Sequence, residues 1–265
     1  FPIGTEGARL GVSYDRGKLA IIDGPFVQLD VEGKSQSGSL NYTNPVFIDE
    51  TWIVQASLAG SYGKSETTNS DVKVTDDVVK DITPGLSIQY TGDGVSAVVS
   101  PTLAFVNSKS NIFDESRNVM LFKGTASAYI DLPDGFSVSS EGSWQMTGSR
   151  LIPGSQLFQI GGPTTVRGYP SGAAAGDEGY LFNLEVYKDM SDVLDGLNTF
   201  AFLDHGAVYA TFPRKRMATS IGVGLDIEVA SMVRLEATIA KPFNEVVPDQ
   251  SEVQVYGRLS ITPEW

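Results

Sequence analysis

The stretch Phe136-Ser137-Val138-Ser139-Ser140-Glu141-Gly142-Ser143-Trp144-Gln145-Met146-Thr147 separates into two faces when every second residue is taken. Even positions give Phe136, Val138, Ser140, Gly142, Trp144 and Met146; odd positions give Ser137, Ser139, Glu141, Ser143, Gln145 and Thr147. One face is largely apolar and the other wholly polar, and a period of two belongs to a β-strand. Moving outward, Trp52, Val54, Ala56, Leu58, Gly60 and Tyr62 keep one phase, as do Ile221, Val223, Leu225, Ile227 and Val229. Weaker alternation recurs at 6–16, 34–44, 81–91, 95–107, 119–131, 180–189, 198–211, 232–242 and 252–263, which makes twelve strands and predicts an all-β, antiparallel chain.

No window reaches the ~20 apolar residues of a membrane-spanning helix. A spanning strand needs only ~9–11 residues with alternate ones apolar, which leaves mean hydropathy near zero, and here it is −0.05. The connections differ in kind: Thr91-Gly92-Asp93-Gly94, Leu132-Pro133-Asp134-Gly135 and Ala230-Ser231 are tight-turn chemistry, whereas 64–80, 107–118 and 149–179 read as long polar loops. Short turns alternating with long loops fit an outer-membrane β-barrel, with its short periplasmic turns and long external loops, better than a soluble sandwich. Glu141, Gln145, Asp226, Glu228, Arg234 and Glu236 at strand centres suit a wet lumen, and Trp52, Trp144 and Trp265 suit interfacial belts. In the last strand Val253, Val255, Leu259, Ile261 and Trp265 share a phase that Pro263 interrupts.

Composition removes much chemistry. The 265 residues carry no Cys, one His and a net charge of −13. Thiolate catalysis and Cys-ligated zinc are excluded, and a His-based metal site or Ser-His-Asp triad is disfavoured. The acidic balance argues against a nucleic-acid partner, whose phosphates need a basic footprint. We therefore expect no enzyme, no catalytic residue, no cofactor and no metal. Arg214-Lys215-Arg216 reads as a solvated external cluster in reach of anionic headgroups, Asp71 to Asp81 as a solvated mobile surface, and His205 as a packed or interfacial histidine.

The most informative stretch is Phe158-Gln159-Ile160-Gly161-Gly162-Pro163-Thr164-Thr165-Val166-Arg167-Gly168-Tyr169, followed by Gly176-Asp177-Glu178-Gly179-Tyr180, Leu184-Glu185 and then Phe202-Leu203-Asp204-His205-Gly206. It resembles the outer-membrane two-partner secretion transporters (TpsB, hemolysin-activator type), within the wider superfamily that includes barrel-assembly proteins. Their hallmarks are an Arg-Gly-Tyr or Arg-Gly-Phe tripeptide at the tip of a long loop folded into the lumen, and Phe-x-Asp-x-Gly on a later strand. Both occur here in the expected order. Gly7-Ala8-Arg9-Leu10-Gly11-Val12-Ser13-Tyr14 and Asn41-Tyr42-Thr43-Asn44-Pro45 extend the likeness toward the start of the chain.

The resemblance implies that residues 1–265 are the C-terminal part of a sixteen-stranded outer-membrane barrel, beginning near its fifth strand, with the loop at 149–179 in the lumen and periplasmic POTRA domains expected upstream. It implies a latch of Arg167, Gly168 and Tyr169 against Asp204 and Gly206, with Glu185 a second acceptor. Glycines permit a tight backbone there, and the Arg167 fork suits bidentate contact with a carboxylate. The implied function is a pore for an unfolded exoprotein in the bacterial outer membrane, with that exoprotein and membrane lipids as partners. The alternatives are barrel assembly or insertase activity, or transport of a fused passenger.

Overall fold

The computed structural model describes residues 1–20, 31–229 and 232–262. Strand dominates. The elements are β1 (Pro2–Ile3), β2 (Ala8–Ala20), β3 (Val31–Ile48), β4 (Trp52–Asn69), β5 (Val72–Gly92), β6 (Val95–Ser110), β7 (Glu115–Leu132), β8 (Phe136–Met146), β9 (Phe158–Ile160), β10 (Ala174–Gly176), β11 (Glu178–Asp189), β12 (Leu197–Tyr209), β13 (Lys215–Val229), β14 (Val233–Pro242) and β15 (Gln254–Ile261). Thirteen form one sheet in the order β1 through β8, then β11 through β15, and β9 pairs with β10 alone. Each of the twelve strands expected from alternation has a counterpart; β1, β9 and β10, of two or three residues, are too short to show a period. The strands of the sheet follow one another in chain order, so alternate connections share an end.

The expected long loops at 64–80 and 107–118 are instead strand. β4 continues to Asn69 and β5 begins at Val72, so Ser70 and Asp71 make a two-residue turn, both at positive φ (47° and 65°) as a type I′ hairpin requires. Likewise β6 and β7 leave only 111–114 between them. The polarity of these segments reflects strands that outrun the hydrocarbon: β5 has 21 residues, about twice what a tilted span needs. A hairpin satisfies its own backbone hydrogen bonds whatever its side chains, so polarity alone does not distinguish an extended strand from a loop. Of the stretch from Asp71 to Asp81, everything after Asp71 is correspondingly built into β5, where the Asp76 carboxylate lies 3.1 Å from Lys73, 3.6 Å from Lys64 and 3.0 Å from Asn111 Nδ2.

The chain divides into two compact units, one comprising Phe1–Ile88, Ser100–Lys123 and Thr147–Ser149, the other Gln89–Val99, Gly124–Met146 and Arg150–Trp265. In the first, cross-strand pairing sets Leu10 beside Tyr42 beside Leu58, and Val12 beside Leu40, on one exposed apolar face. The Asp49–Thr51 turn is closed by Asp49 Oδ1, which accepts from the backbone N–H of Thr51 (2.8 Å) and Trp52 (2.6 Å); these bonds hold the carboxyl below the ordinary aspartate range.

In the second unit Val186, Ala201, Val223, Ile239 and Val255 form one row across five strands, with Val223 58% and Val255 71% exposed. So much exposed apolar surface is a lipid-facing band. On this face the Trp144 indole covers Gly124, where an added Cβ would meet it at 2.1 Å. The opposite face buries Phe200, Phe202, Asp204, Ser220, Asp226 and Thr238. The Ala230-Ser231 turn and the terminal Pro263 and Trp265 lie outside the described residues.

Candidate functional site

The loop between β8 and β11 is anchored at its base and apolar in its middle. Gln145 Nε2 donates to the carbonyls of Gln156 (2.8 Å) and Asp177 (2.9 Å), while the Asp177 carboxylate accepts from the backbone N–H of Ile152 (3.0 Å) and Leu151 (3.3 Å). β9 and β10 then pair, Ile160 with Ala174, to make the stem of a hairpin whose tip is 161–173. Ile160, Val166, Tyr169, Ala173 and Ala174 bury themselves against Val208 of β12 and Ala218 of β13. Burying one such aliphatic side chain is worth roughly 1.5–3 kcal/mol. The tip is thus seated by packing as well as by charge.

Glycine is required at the tip for space as well as conformation. Gly161 (φ 102°) and Gly162 (φ 111°) lie where an added Cβ would sit 2.5 Å from the Pro170 carbonyl and 2.8 Å from Ser171 Oγ respectively. Gly206, in the Phe-x-Asp-x-Gly motif, leaves the floor of β12 bare, so that methyls of Ile160 and Val166 come within 3.2 Å of where its Cβ would be.

Arg167 enters the sheet from that tip. Its Nε donates to Asp204 Oδ2 at 2.8 Å and its Nη2 to Oδ1 at 2.7 Å, a bidentate fork, and its backbone N–H reaches Oδ2 at 3.0 Å. Asn183 Nδ2 gives Asp204 a fourth donor at 2.8 Å and also binds the Thr165 carbonyl at 2.6 Å. Asp204 is 0% exposed, so its charge is held entirely by these four bonds. The remaining Arg167 nitrogen, Nη1, lies 2.6 Å from Glu185 Oε1, and Tyr187 donates to the other oxygen of Glu185. The guanidinium stacks on Phe202, with Cζ 3.5 Å from the ring centroid. Phe202 in turn lies over Gly222, where a Cβ would sit 2.3 Å from the ring.

Gly168 and Tyr169 complete the attachment. The Gly168 N–H donates to Tyr256 of β15 at 2.8 Å, and with φ at 88° this position has no room for a Cβ beside Pro242 at 3.2 Å. The Tyr169 hydroxyl accepts from the Thr219 N–H (3.0 Å) and lies within donating distance of the Thr219 carbonyl (2.8 Å) and Asn244 Oδ1 (2.9 Å). Tyr169→Phe removes the hydroxyl that accepts from the Thr219 N–H. We expect a cost of ~1–3 kcal/mol, read as a lower unfolding temperature of the folded protein by seminative electrophoresis, with Arg167 contacts intact.

All six residues singled out from the sequence, Arg167, Gly168, Tyr169, Asp204, Gly206 and Glu185, meet in this one assembly. Sequence reasoning missed Asn183, Tyr187, Tyr256, Gly222 and the anchoring role of Gln145. Phe202 and Asp177 lay within the quoted motifs, where an aromatic two residues before a buried carboxylate on the same face was the available signal. His205 points to the other face, its Nδ1 2.8 Å from Thr219 Oγ1 and its Nε2 3.2 Å from Tyr180 OH. Arg216, from the basic run, donates weakly to the Ala173 carbonyl at 3.4 Å. Among the described residues no group of three His, Asp or Glu is placed to hold a metal.

An antiparallel sheet with a lipid-facing band, a buried polar face and a loop folded onto that face defines an outer-membrane β-barrel protein. The chain belongs to the Omp85 superfamily: the family model described as the Omp85 superfamily domain matches residues 34–262. Its fold is shared with CdiB from Acinetobacter baumannii (TM-score 0.76, 18% identity, covering 96% of this chain and 47% of that one). It is shared also with CdiB from Escherichia coli (0.74, 15%, 96% and 50%) and with BamA from Haemophilus ducreyi lacking POTRA domains 1–3 (0.68, 17%, 96% and 59%). The chain spans about half the length of these structures. No curated protein matches it. The protein belongs in the bacterial outer membrane.

Proposed function

We propose that this chain is the C-terminal part of a two-partner secretion transporter, which passes an unfolded exoprotein across the outer membrane, with POTRA domains upstream receiving that exoprotein in the periplasm. The observation that carries the reading is the seat of the Arg167 tip on β11 and β12: a buried bidentate ion pair, an aromatic stack and a fitted apolar hairpin together hold a loop across the polar face. In the proposed mechanism the loop keeps its place in the lumen through Arg167, Asp204 and Glu185 and sets the conducting state of the pore, and the exoprotein's folding outside the cell supplies the driving force. No catalytic residue or cofactor enters this mechanism. A second reading, barrel assembly or insertase activity, is favoured by the fold shared with BamA.

The two are separated by one experiment. Depleting the intact protein should abolish release of one large exoprotein while leaving the general complement of outer-membrane barrels at normal levels by quantitative proteomics. A broad fall in barrels would replace the secretion reading with the assembly one.

A further inference from the structure

The first unit carries a graded outer face that the transport reading does not use. Going along β2, β3 and β4 on the apolar side, the cross-strand rows are Leu10, Tyr42 and Leu58, then Val12, Leu40 and Gly60, then Tyr14, Gly38 and Tyr62. The next two rows are Arg16, Gln36 and Lys64, then Lys18, Lys34 and Glu66. Apolar gives way to tyrosine and tyrosine to cation within five rows of one face. Tyrosine marks the level of the membrane interface, so the cations stand at headgroup height. They lie at the strand ends remote from the short Asp49–Thr51 turn, where β4 and β5 run on past the hydrocarbon to the Ser70–Asp71 turn; the end with the short turn is periplasmic, so the overrunning strands mark the external end.

Among the described residues these cations are poorly neutralised. Lys18 and Lys34 are directly opposite one another, a like-charge pair that weakens a sheet when nothing bridges it. Among the described residues Arg16 and Lys18 have no ion-pair partner, and Lys34 has only Glu32 at 3.9 Å. Lys64 lies 3.6 Å from Asp76, and the Glu66 carboxylate is engaged by Lys73 at 2.9 Å. Arg16, Lys18, Lys34 and Lys64 line, with Gln36 and Glu66, a depression of about 170 Å³. In a chain of net charge −13 such a cluster runs against the average.

We propose that this depression binds the phosphate groups of a phosphorylated saccharolipid of the outer leaflet, of the lipid A type, whose acyl chains lie along Leu10, Val12, Leu40 and Leu58. Continuity of the cations with an apolar and tyrosine-edged face selects a lipid over free phosphate, and four cations around one depression select a headgroup with more than one phosphate.

The test is native mass spectrometry of the intact protein, extracted in mild detergent and titrated with bis-phosphorylated lipid A. We expect the double variant Lys18→Gln/Lys34→Gln to bind roughly thirtyfold more weakly, each cation near a membrane surface contributing roughly fivefold. Lys109→Gln, a cation of β6 that does not line the depression, should bind as wild type. Folding is checked by heat-modifiable migration; if the double variant fails it, Lys18→Gln alone should show roughly a fivefold loss. Wild-type affinity in these variants, or equal weakening in Lys109→Gln, overturns the proposal. So does binding of phosphatidylglycerol or dephosphorylated lipid A as tight as that of lipid A, or displacement of the lipid by millimolar inorganic phosphate.

Discussion

Under the proposed secretion role, Arg167→Ala is expected to leave folded barrel in the outer membrane while unseating the loop and cutting exoprotein release. The cause is the pair's burial: removing the cation strands the Asp204 carboxylate, which is 0% exposed, with Asn183 and one backbone N–H as its remaining donors. Breaking a buried pair from one side costs ~3–5 kcal/mol. Asp204→Ala should be milder, because Arg167 keeps Glu185 at 2.6 Å and the face of Phe202. The double variant should be little worse than Arg167→Ala, since residues sharing one network do not add. Arg167→Ala/Asp204→Asn should recover part of the loss by replacing the stranded charge with a neutral amide. Arg167→Lys should stay impaired, a point charge being unable to reproduce the fork or the stack. The measurement is secreted exoprotein per unit of heat-modifiable barrel. Strictly additive losses, or full secretion by Arg167→Ala, would falsify the coupling.

Charge placed on the two faces of the second unit should have opposite consequences. Val223 is at the middle of β13 and 58% exposed on the apolar face. Val223→Lys puts an ammonium into hydrocarbon, at ~2–4 kcal/mol near the bilayer midplane, and should sharply reduce the heat-modifiable fraction. Ser139→Lys, in β8 in phase with Gln145 on the polar face, should insert normally. Equal loss in both would mean that the facing assigned to these strands is wrong.

The strands were legible because alternation is a local property. A residue such as Val223 must meet lipid whatever its neighbours do, so a period of two is written into each strand separately. The tips of β4 to β7 were not legible, because outside hydrocarbon nothing requires an apolar face and their polarity imitates a loop. What placed their turn was backbone geometry at Ser70 and Asp71. The candidate site was legible through a family resemblance carried by two short motifs, which implied that Arg167 would meet Asp204 beside Gly206.

What only tertiary structure decided is who completes that chemistry. Asn183 and Tyr187 lie on β11, Gly222 on β13 and Tyr256 on β15, and all four are ordinary strand residues in sequence. They become the fourth donor to Asp204, the second hold on Glu185, the acceptor for Gly168 and the bed of Phe202 only when pairing registers bring them beneath one loop. The same holds for Lys18 and Lys34, sixteen residues apart in sequence and set face to face by the β2–β3 register. By itself the sequence determined an alternating, membrane-competent sheet, because the face a residue takes is a local property, while the charged pair was implied by the motifs' resemblance and brought together only by the fold. Register and loop seating depend on the free energy of many side chains at once, and those only the folded chain could decide.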